Sequence, residues 1–157
     1  MTDPGVRLAL DWGQARIGVA ACDRAGTLAY PVETIAAADA VHVERRLAAL
    51  VAEYEPVAIV VGLPRHLKGG EGDAAASARA HAVWLAGRFP GVQVRLVDER
   101  LTTVTASAQL REAGRNTRSQ RHIIDQVAAV ALLNHALDTE RHTGRPAGEP
   151  VEEGFVE

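Results

Sequence analysis

Four acidic residues in this sequence lie where carboxylates could act together. Asp11 directly follows a short apolar run, and Asp98 and Glu99 follow another. Asp125 opens a long apolar stretch. Such carboxylates repel one another unless cations lie between them, and oxygen ligands without histidine or cysteine suit Mg²⁺ or Mn²⁺. Two such ions about 4 Å apart can activate water for phosphodiester cleavage. The pattern therefore indicates a divalent-metal site.

Two of these acids also have simpler explanations. Asp11 precedes Gly13, which permits a tight turn into a second apolar run, and an Asp beside such a turn commonly hydrogen-bonds its own backbone. Asp125 falls in the first turn of a predicted helix, where the helix dipole favours an acid whatever its function. The sequence indicates a catalytic metal site only because the acids come from three separate predicted secondary-structure elements.

The elements that position these acids alternate between strands and helices. Since sites in open α/β sheets form at the carboxyl ends of strands, Asp11 and the Asp98–Glu99 pair should meet there. The pattern predicts one α/β domain over residues 1–140, with a mixed five-stranded central sheet flanked by helices, and an acidic disordered tail over 141–157. The predicted strands are 6–10, 17–21, 27–32, 57–61 and 92–97, and the predicted helices are 40–54, 73–88, 102–113 and 123–137.

Composition narrows the function classes. Apolar residues make up 47% of the 157 and charged residues 24%, as in globular proteins, and no apolar run reaches membrane-spanning length. We therefore expect a cytoplasmic protein without membrane association. Cys22 is the one cysteine, and none of the six histidines has zinc-binding spacing. The net charge of −3 argues mildly against a nucleic-acid partner, but four glutamates lie in the last nine residues, and removing their charges leaves +1.

The one basic cluster of the sequence lies in a predicted loop, and a second predicted loop offers a further candidate phosphate contact. The segment REAGRNTRSQRH, residues 111–122, contains four arginines opposed by one glutamate, and it separates two site elements. It could grip a nucleic-acid strand, or it could be a solvated loop. The glycine-rich loop 64–72 holds Lys68, which could contact phosphate, although a plain linker explains the loop equally well. The phosphate-loop motif is absent.

Four segments together resemble the YqgF family, also called RuvX, of the ribonuclease H-like superfamily. They span about residues 6 to 138 and are, in order, LALDWGQARIGVAACD, IVVGLPRHLKGGEG, VRLVDERLTTVTA and IIDQVAAVALL. The resemblance implies a ribonuclease H-like fold with a five-stranded sheet and a divalent-metal nuclease. It further implies processing of the small-subunit ribosomal RNA precursor, with Holliday junction resolution as the older assignment.

The resemblance also implies roles for single residues. Asp11, Glu99 and Asp125 match the family's catalytic acids, and Asp98 is a fourth candidate metal ligand. One feature departs from the related RuvC-type resolvases, in which an acid follows the strand equivalent to 57–61. Here that strand ends in Gly62, so resolvase geometry and substrate do not transfer directly. The predicted nucleic-acid contacts are Arg16, Lys68, Arg100, Arg115, Arg118 and Arg121, of which Arg16 and Arg100 match basic positions of the family and could instead form structural salt bridges.

Three functions stay open from sequence. The first is a nuclease acting on structured RNA or on branched DNA. The second is a ribosome-biogenesis or transcription-associated factor that binds RNA without cleaving it. The third follows from the Asp-x-Gly hairpin, which also occurs in sugar kinases and actin-like ATPases, but those need two such domains and this chain has length for one. Monomer and homodimer are both compatible, although a symmetric resolvase should be a two-fold dimer.

Overall fold

The computed structural model describes residues 4–66, 68–100 and 118–152, and of residues 118–125 it describes the backbone alone. The predicted helix 102–113 and Arg115 lie outside the described residues. Within the described ranges the elements are β1 Arg7–Trp12, β2 Arg16–Cys22, β3 Ala29–Ala36, α1 Ala40–Tyr54, β4 Ala58–Leu63, α2 Asp73–Arg88, β5 Gln93–Asp98, α3 Arg118–Thr143 and β6 Glu149–Val151.

The strands form one mixed sheet in the order β3-β2-β1-β4-β5-β6. The pairs β1–β4 and β4–β5 are parallel, whereas β1–β2, β2–β3 and β5–β6 are antiparallel. The α/β class and the mixed sheet are thus confirmed. So is the edge position that Pro31 in β3 favours, because a proline cannot donate to a strand neighbour.

Helices cover both faces of this sheet. Ile59 and Val61 of β4 pack into a core with α1 and α2, and Val60 between them packs into a core with α3. Successive side chains of a strand point to opposite faces, so a central strand covered twice is apolar at every position. We call these the α1/α2 face and the α3 face of the sheet.

The C-terminal segment differs from the prediction. Residues 141–152, expected to be disordered, hold the end of α3 and the short strand β6, which makes six strands rather than five. Arg95 of β5 fastens this segment, since it donates from Nε to the Ala147 carbonyl at 2.6 Å and from Nη2 to the Gly148 carbonyl at 2.7 Å. A polar composition does not reveal such a partner elsewhere in the chain.

Helix α3 is longer than predicted at its other end as well. It includes Arg118 and Arg121, which the sequence placed in a loop, and it puts Asp125 two turns inside the helix rather than in its first turn. The helix-dipole explanation for Asp125 therefore loses its basis, because that effect fades beyond the first turn. None of the helices in the described part of the chain is both long and apolar enough to cross a bilayer.

Candidate active site

Asp11 lies near the carboxyl end of β1, between two glycines of the neighbouring strands. It pairs with Gly18 of β2, and because Leu10 pairs with Val61, the next residue of β4 at the same level is Gly62. Alternation along β1 puts Asp11 on the α3 face with Ala9, which packs against α3. The predicted turn follows, closed by a 2.9 Å hydrogen bond from the Gly13 amide to the Arg16 carbonyl.

Glu99 reaches the same place from the other side of β4. Its amide donates to the Leu63 carbonyl at 3.3 Å, which continues the β4–β5 ladder one residue past β5. Its carboxylate lies over Gly62: a Cβ built there would collide with Oε2 of Glu99 and come within 3.3 Å of Cδ. Leu132 of α3 lies above the same point, 3.4 Å from that Cβ position. The Glu99 carboxylate is thus enclosed between the sheet and α3.

This environment changes the acidity of Glu99. Burial, followed by the negative charges of Asp11 and Asp98, raises the pKa of Glu99 to about 7. A raised pKa from burial together with a neighbouring like charge is typical of functional carboxylates. A divalent cation between Asp11 and Glu99 would offset both causes at once.

Asp98 lies on the opposite face, although it is adjacent in sequence. It follows Leu96, which packs into the α1/α2 core, so alternation directs Asp98 to that face. Arg100 holds it: the Arg100 amide donates to Oδ1 at 3.0 Å, and Nε donates to Oδ2 at 2.8 Å. This hydrogen bonding lowers the pKa of Asp98. The geometry favours Asp98 as the anchor of Arg100 over a role as a metal ligand.

The predicted basic contacts fall into two groups. Arg16 begins β2 on the α3 face, with Ala20 and Cys22, and so lies on the side of Asp11 and Glu99. Arg100 lies beside the glycine-rich loop, with Nη1 3.8 Å from a Cβ position on Gly69, and Lys68 is exposed on that loop. The side chains of Arg118 and Arg121 lie outside the described residues, as does all of Arg115.

Helix α3 brings Asp125 to this end of the sheet. Gln126 donates from Nε2 to Oγ1 of Thr34 at 2.9 Å, and Thr34 pairs with Gly18, the partner of Asp11. The backbone of Asp125, one residue before Gln126, therefore lies near β3 at the level of Gly18 and Asp11, while its side chain is outside the described atoms. Among the described side chains alone, no group of three histidine, cysteine, aspartate or glutamate residues could hold a metal ion.

The described donor set nevertheless fits a hard divalent cation. Asp11 and Glu99 supply carboxylate oxygens, and burial together with their mutual repulsion raises the pKa of Glu99. Mg²⁺ typically binds through one or two carboxylates and keeps several waters, so two protein ligands are sufficient to begin such a site.

Two features that support the site were not predicted from sequence. Trp12 stacks on His81 of α2 with ring centroids 4.0 Å apart and planes 6° apart, which ties the end of β1 to the α1/α2 face. Gly62 leaves room for the Glu99 carboxylate. The glycine that replaces the acid of RuvC-type sequences at the end of this strand therefore has a structural consequence. The signal in the sequence was a glycine inside an apolar strand, where glycine is otherwise unfavourable.

A network of ion pairs fixes the glycine-rich loop. Arg79 of α2 donates from Nε to Glu71 at 2.8 Å and from Nη2 to Glu149 of β6 at 2.9 Å. Arg65 lies 3.5 Å from the same Glu71 carboxylate. The loop beside Arg100 is therefore joined to α2 and to the last strand.

Comparison with known proteins identifies the family of this chain. A family model described as RuvX, Holliday junction resolvase, matches residues 5–139. The chain belongs to the RuvX family. A relative from Streptomyces coelicolor, named as a candidate pre-16S rRNA nuclease, is 58% identical over 94% of this chain and 89% of its own length. One of the same name from Cutibacterium acnes is 55% identical over 87% of this chain and 84% of its own.

Solved structures support the fold of this RuvX-family chain. RuvC of Thermus thermophilus, in a complex with a Holliday junction substrate, aligns with a TM-score of 0.56 over 94% of this chain and 99% of its own. At 17% identity this likeness concerns the fold alone. The ribonuclease H-like architecture that the sequence resemblance implied is confirmed.

Proposed function

We propose that this chain is a divalent-metal-dependent nuclease that hydrolyses phosphodiester bonds in the precursor of small-subunit ribosomal RNA. The observation that carries the proposal is the Glu99 carboxylate, held over Gly62 on the face of Asp11 with its pKa raised to about 7. The names of relatives at 55–58% identity support this substrate. Bacterial ribosomes assemble in the cytoplasm, so we place the activity there.

In this proposal Asp11, Glu99 and Asp125 hold Mg²⁺ or Mn²⁺. The bound cation supplies an activated water and stabilises the leaving oxygen. Glu99 gives up its proton when the site is loaded, because the cation offsets the repulsion from Asp11. Arg16 lies on the same face and binds a phosphate of the substrate strand. Arg115, Arg118 and Arg121 also bind the substrate backbone, and Arg100 and Lys68 contact it along the glycine-rich loop.

A second candidate substrate is branched DNA. The family description names a Holliday junction resolvase, and the RuvC structure of the same fold contains such a junction. The same carboxylates would serve either substrate, since the phosphodiester chemistry is shared. A symmetric cut of two strands additionally requires a two-fold dimer, so dimerisation on junction DNA would favour this candidate.

The test is cleavage of both substrates side by side. Wild type, Asp11→Asn and the surface control Asp138→Asn are incubated with a ribosomal RNA precursor fragment or a four-way DNA junction, in Mn²⁺, Mg²⁺ or chelator. Asp138 forms an exposed ion pair with Arg141 within α3, so its removal should matter little. We expect RNA cleavage by wild type and control in metal only, and its loss in Asp11→Asn with RNA binding retained.

Each other outcome has a defined meaning. Metal-dependent cleavage of the junction but not of the RNA would transfer the function to the second candidate. Binding of RNA by wild type without cleavage in any metal would overturn the nuclease and leave an RNA-binding factor.

A further inference from the structure

The backbone conformation at Gly62 does not require a glycine. It lies inside the buried strand β4, and its φ is outside the left-handed region that favours glycine. Glycine in a strand interior costs stability, because it loses more backbone entropy than other residues and packs nothing. The neighbouring strand positions Val60, Val61 and Leu63 all carry buried apolar side chains. A reason for glycine must therefore come from the surrounding space.

That space holds the Glu99 carboxylate. The strand order puts β4 between β1 and β5, so the backbones that carry Asp11 and Glu99 are separated by two strand spacings, about 9.5 Å. The two carboxylates can approach each other only across β4. The register puts Gly62 at the level of Asp11 on one side and of Val97, two residues before Glu99, on the other. Gly62 is the residue over which the Glu99 side chain must cross.

The atoms nearest to Gly62 show how little space surrounds the Glu99 side chain above β4. Even the smallest side chain at residue 62 would collide with Oε2 of Glu99. Moving the carboxylate upward is restricted by Leu132 of α3, which is 1% exposed and lies 3.4 Å from the same Cβ position. A side chain at residue 62 would therefore displace the Glu99 carboxylate from its position above β4.

We propose that Gly62 is a positioning residue of the active site: its missing side chain is the gap through which Glu99 crosses β4 and shares a divalent cation with Asp11. This inference rests on the proposed metal-dependent nuclease, but the Gly62–Glu99 contact itself can be tested without activity. In this proposal Gly62 acts through the location of the Glu99 carboxylate and not through a contact of its own with substrate or metal.

The test combines Gly62→Ala with Glu99→Ala, which removes the carboxylate that the added methyl group would meet. Melting temperatures without metal are measured for wild type, Gly62→Ala, Glu99→Ala and the double variant. Gly91→Ala is the matched control, because a Cβ at Gly91 meets nothing within 4 Å. We expect Gly62→Ala to lower the melting temperature in the wild-type background and to have little effect in the Glu99→Ala background, since neighbouring substitutions that share a contact are not additive.

The second measurement concerns the metal. Mn²⁺ affinity from calorimetry should fall about 10–100-fold in Gly62→Ala, as for loss of other groups that orient metal ligands, and should stay unchanged in Gly91→Ala. For cleavage, kcat should fall similarly while KM for RNA stays within about threefold, because substrate contacts are not altered.

The outcomes separate the two claims. An equal loss of melting temperature in both backgrounds, or unchanged Mn²⁺ affinity in a folded Gly62→Ala, would overturn the positioning role and leave packing against Leu132. A wild-type protein that binds Mn²⁺ but cleaves neither substrate would overturn the proposed nuclease function. The positioning of Glu99 by Gly62 in a metal-binding site would still stand.

Discussion

Asp98 and Glu99 are adjacent carboxylates that experience opposite environments. Asp98 is bound by Arg100 on the α1/α2 face, and its pKa is lowered, chiefly by that hydrogen bond. Glu99 is enclosed below α3 on the other face, and burial with the charge of Asp11 raises its pKa to about 7. The difference shows that the face of the sheet, and not proximity in sequence, decides which acid is buried near another carboxylate and which holds an arginine.

The cause is elementary strand geometry. Consecutive side chains at the end of β5 point to opposite faces, and the two faces are covered differently. The α3 face offers a long helix and a second carboxylate, whereas the other face offers the glycine-rich loop and an arginine. The two adjacent acids at the end of β5 thus differ in acidity: the pKa of Glu99 is raised to about 7, whereas the pKa of Asp98 is lowered.

Removing each acid in turn should give the largest difference. We expect Glu99→Gln to reduce metal-dependent cleavage at least a hundredfold, because a metal ligand contributes several kcal/mol to the transition state. Asp98→Asn, which keeps the size and loses only the charge that holds Arg100, should reduce it less than about tenfold. Single-turnover cleavage rates in saturating Mg²⁺ provide the measurement. Equal losses in the two variants would remove the distinction between the two faces.

The pH dependence of stability should also separate the two acids. The pKa of folded Glu99 is about 7 against 4.5 for the free side chain, so the folded state retains a proton that the unfolded state has released between these values. Without metal, stability therefore falls as pH rises through this window. Glu99→Gln should be more stable than wild type by about 3 kcal/mol at pH 8 and by about 1 kcal/mol at pH 5.

The contribution of Asp98 to the pH dependence of stability has the opposite sign. Its lowered pKa means that the charged form stabilises the fold, a contribution present above pH 3.8 and lost as pH falls below it. Because a third of the side chain is exposed, Asp98→Asn should cost about 1 kcal/mol or less at pH 8. Urea unfolding in chelator measures Glu99→Gln at pH 8 and pH 5, and Asp98→Asn at pH 8 and at a pH below 3.8. A Glu99→Gln protein less stable than wild type at pH 8 would contradict the enclosed, like-charged site.

The smallest effect on cleavage is expected for the aromatic contact on the α1/α2 face. His81→Ala removes the ring that stacks on Trp12 and should cost about 1 kcal/mol of unfolding free energy. Cleavage should fall less than about fivefold, since the contact supports β1 from the face away from the carboxylates. Thermal unfolding and cleavage rates on the same preparation check this. A large loss of cleavage without loss of stability would show that the α1/α2 face takes part in the chemistry.

Much of the fold could be predicted from sequence because its signals are local. Helix α2 has the predicted bounds, residues 73–88, and the apolar run at 57–61 is a parallel strand covered on both faces, as its composition indicated. The acids were identifiable because a charge at the end of a buried strand is unusual. Each of these features can be recognised from residues adjacent in sequence or from the periodicity of apolar residues.

What sequence reasoning missed depends on contacts between distant segments. Strand β6 pairs with β5 through residues that look like a disordered tail, and Arg95 holds it from about fifty positions away along the chain. Gly62 was noted as a departure, but its role needs the strand order and the location of Glu99. The metal set of Asp11, Glu99 and Asp125, and the predicted arginine contacts, stay predictions.

The most direct test of this account is an NMR titration of the Asp98 and Glu99 carboxyl groups without and with Mg²⁺. Without metal, Glu99 should titrate near pH 7 and Asp98 below its usual range. With Mg²⁺, the Glu99 midpoint should fall by more than a unit, because the cation competes with the proton, whereas that of Asp98 should stay in place. A Glu99 midpoint near 4.5 without metal, or a Mg²⁺ shift confined to Asp98, would contradict the account.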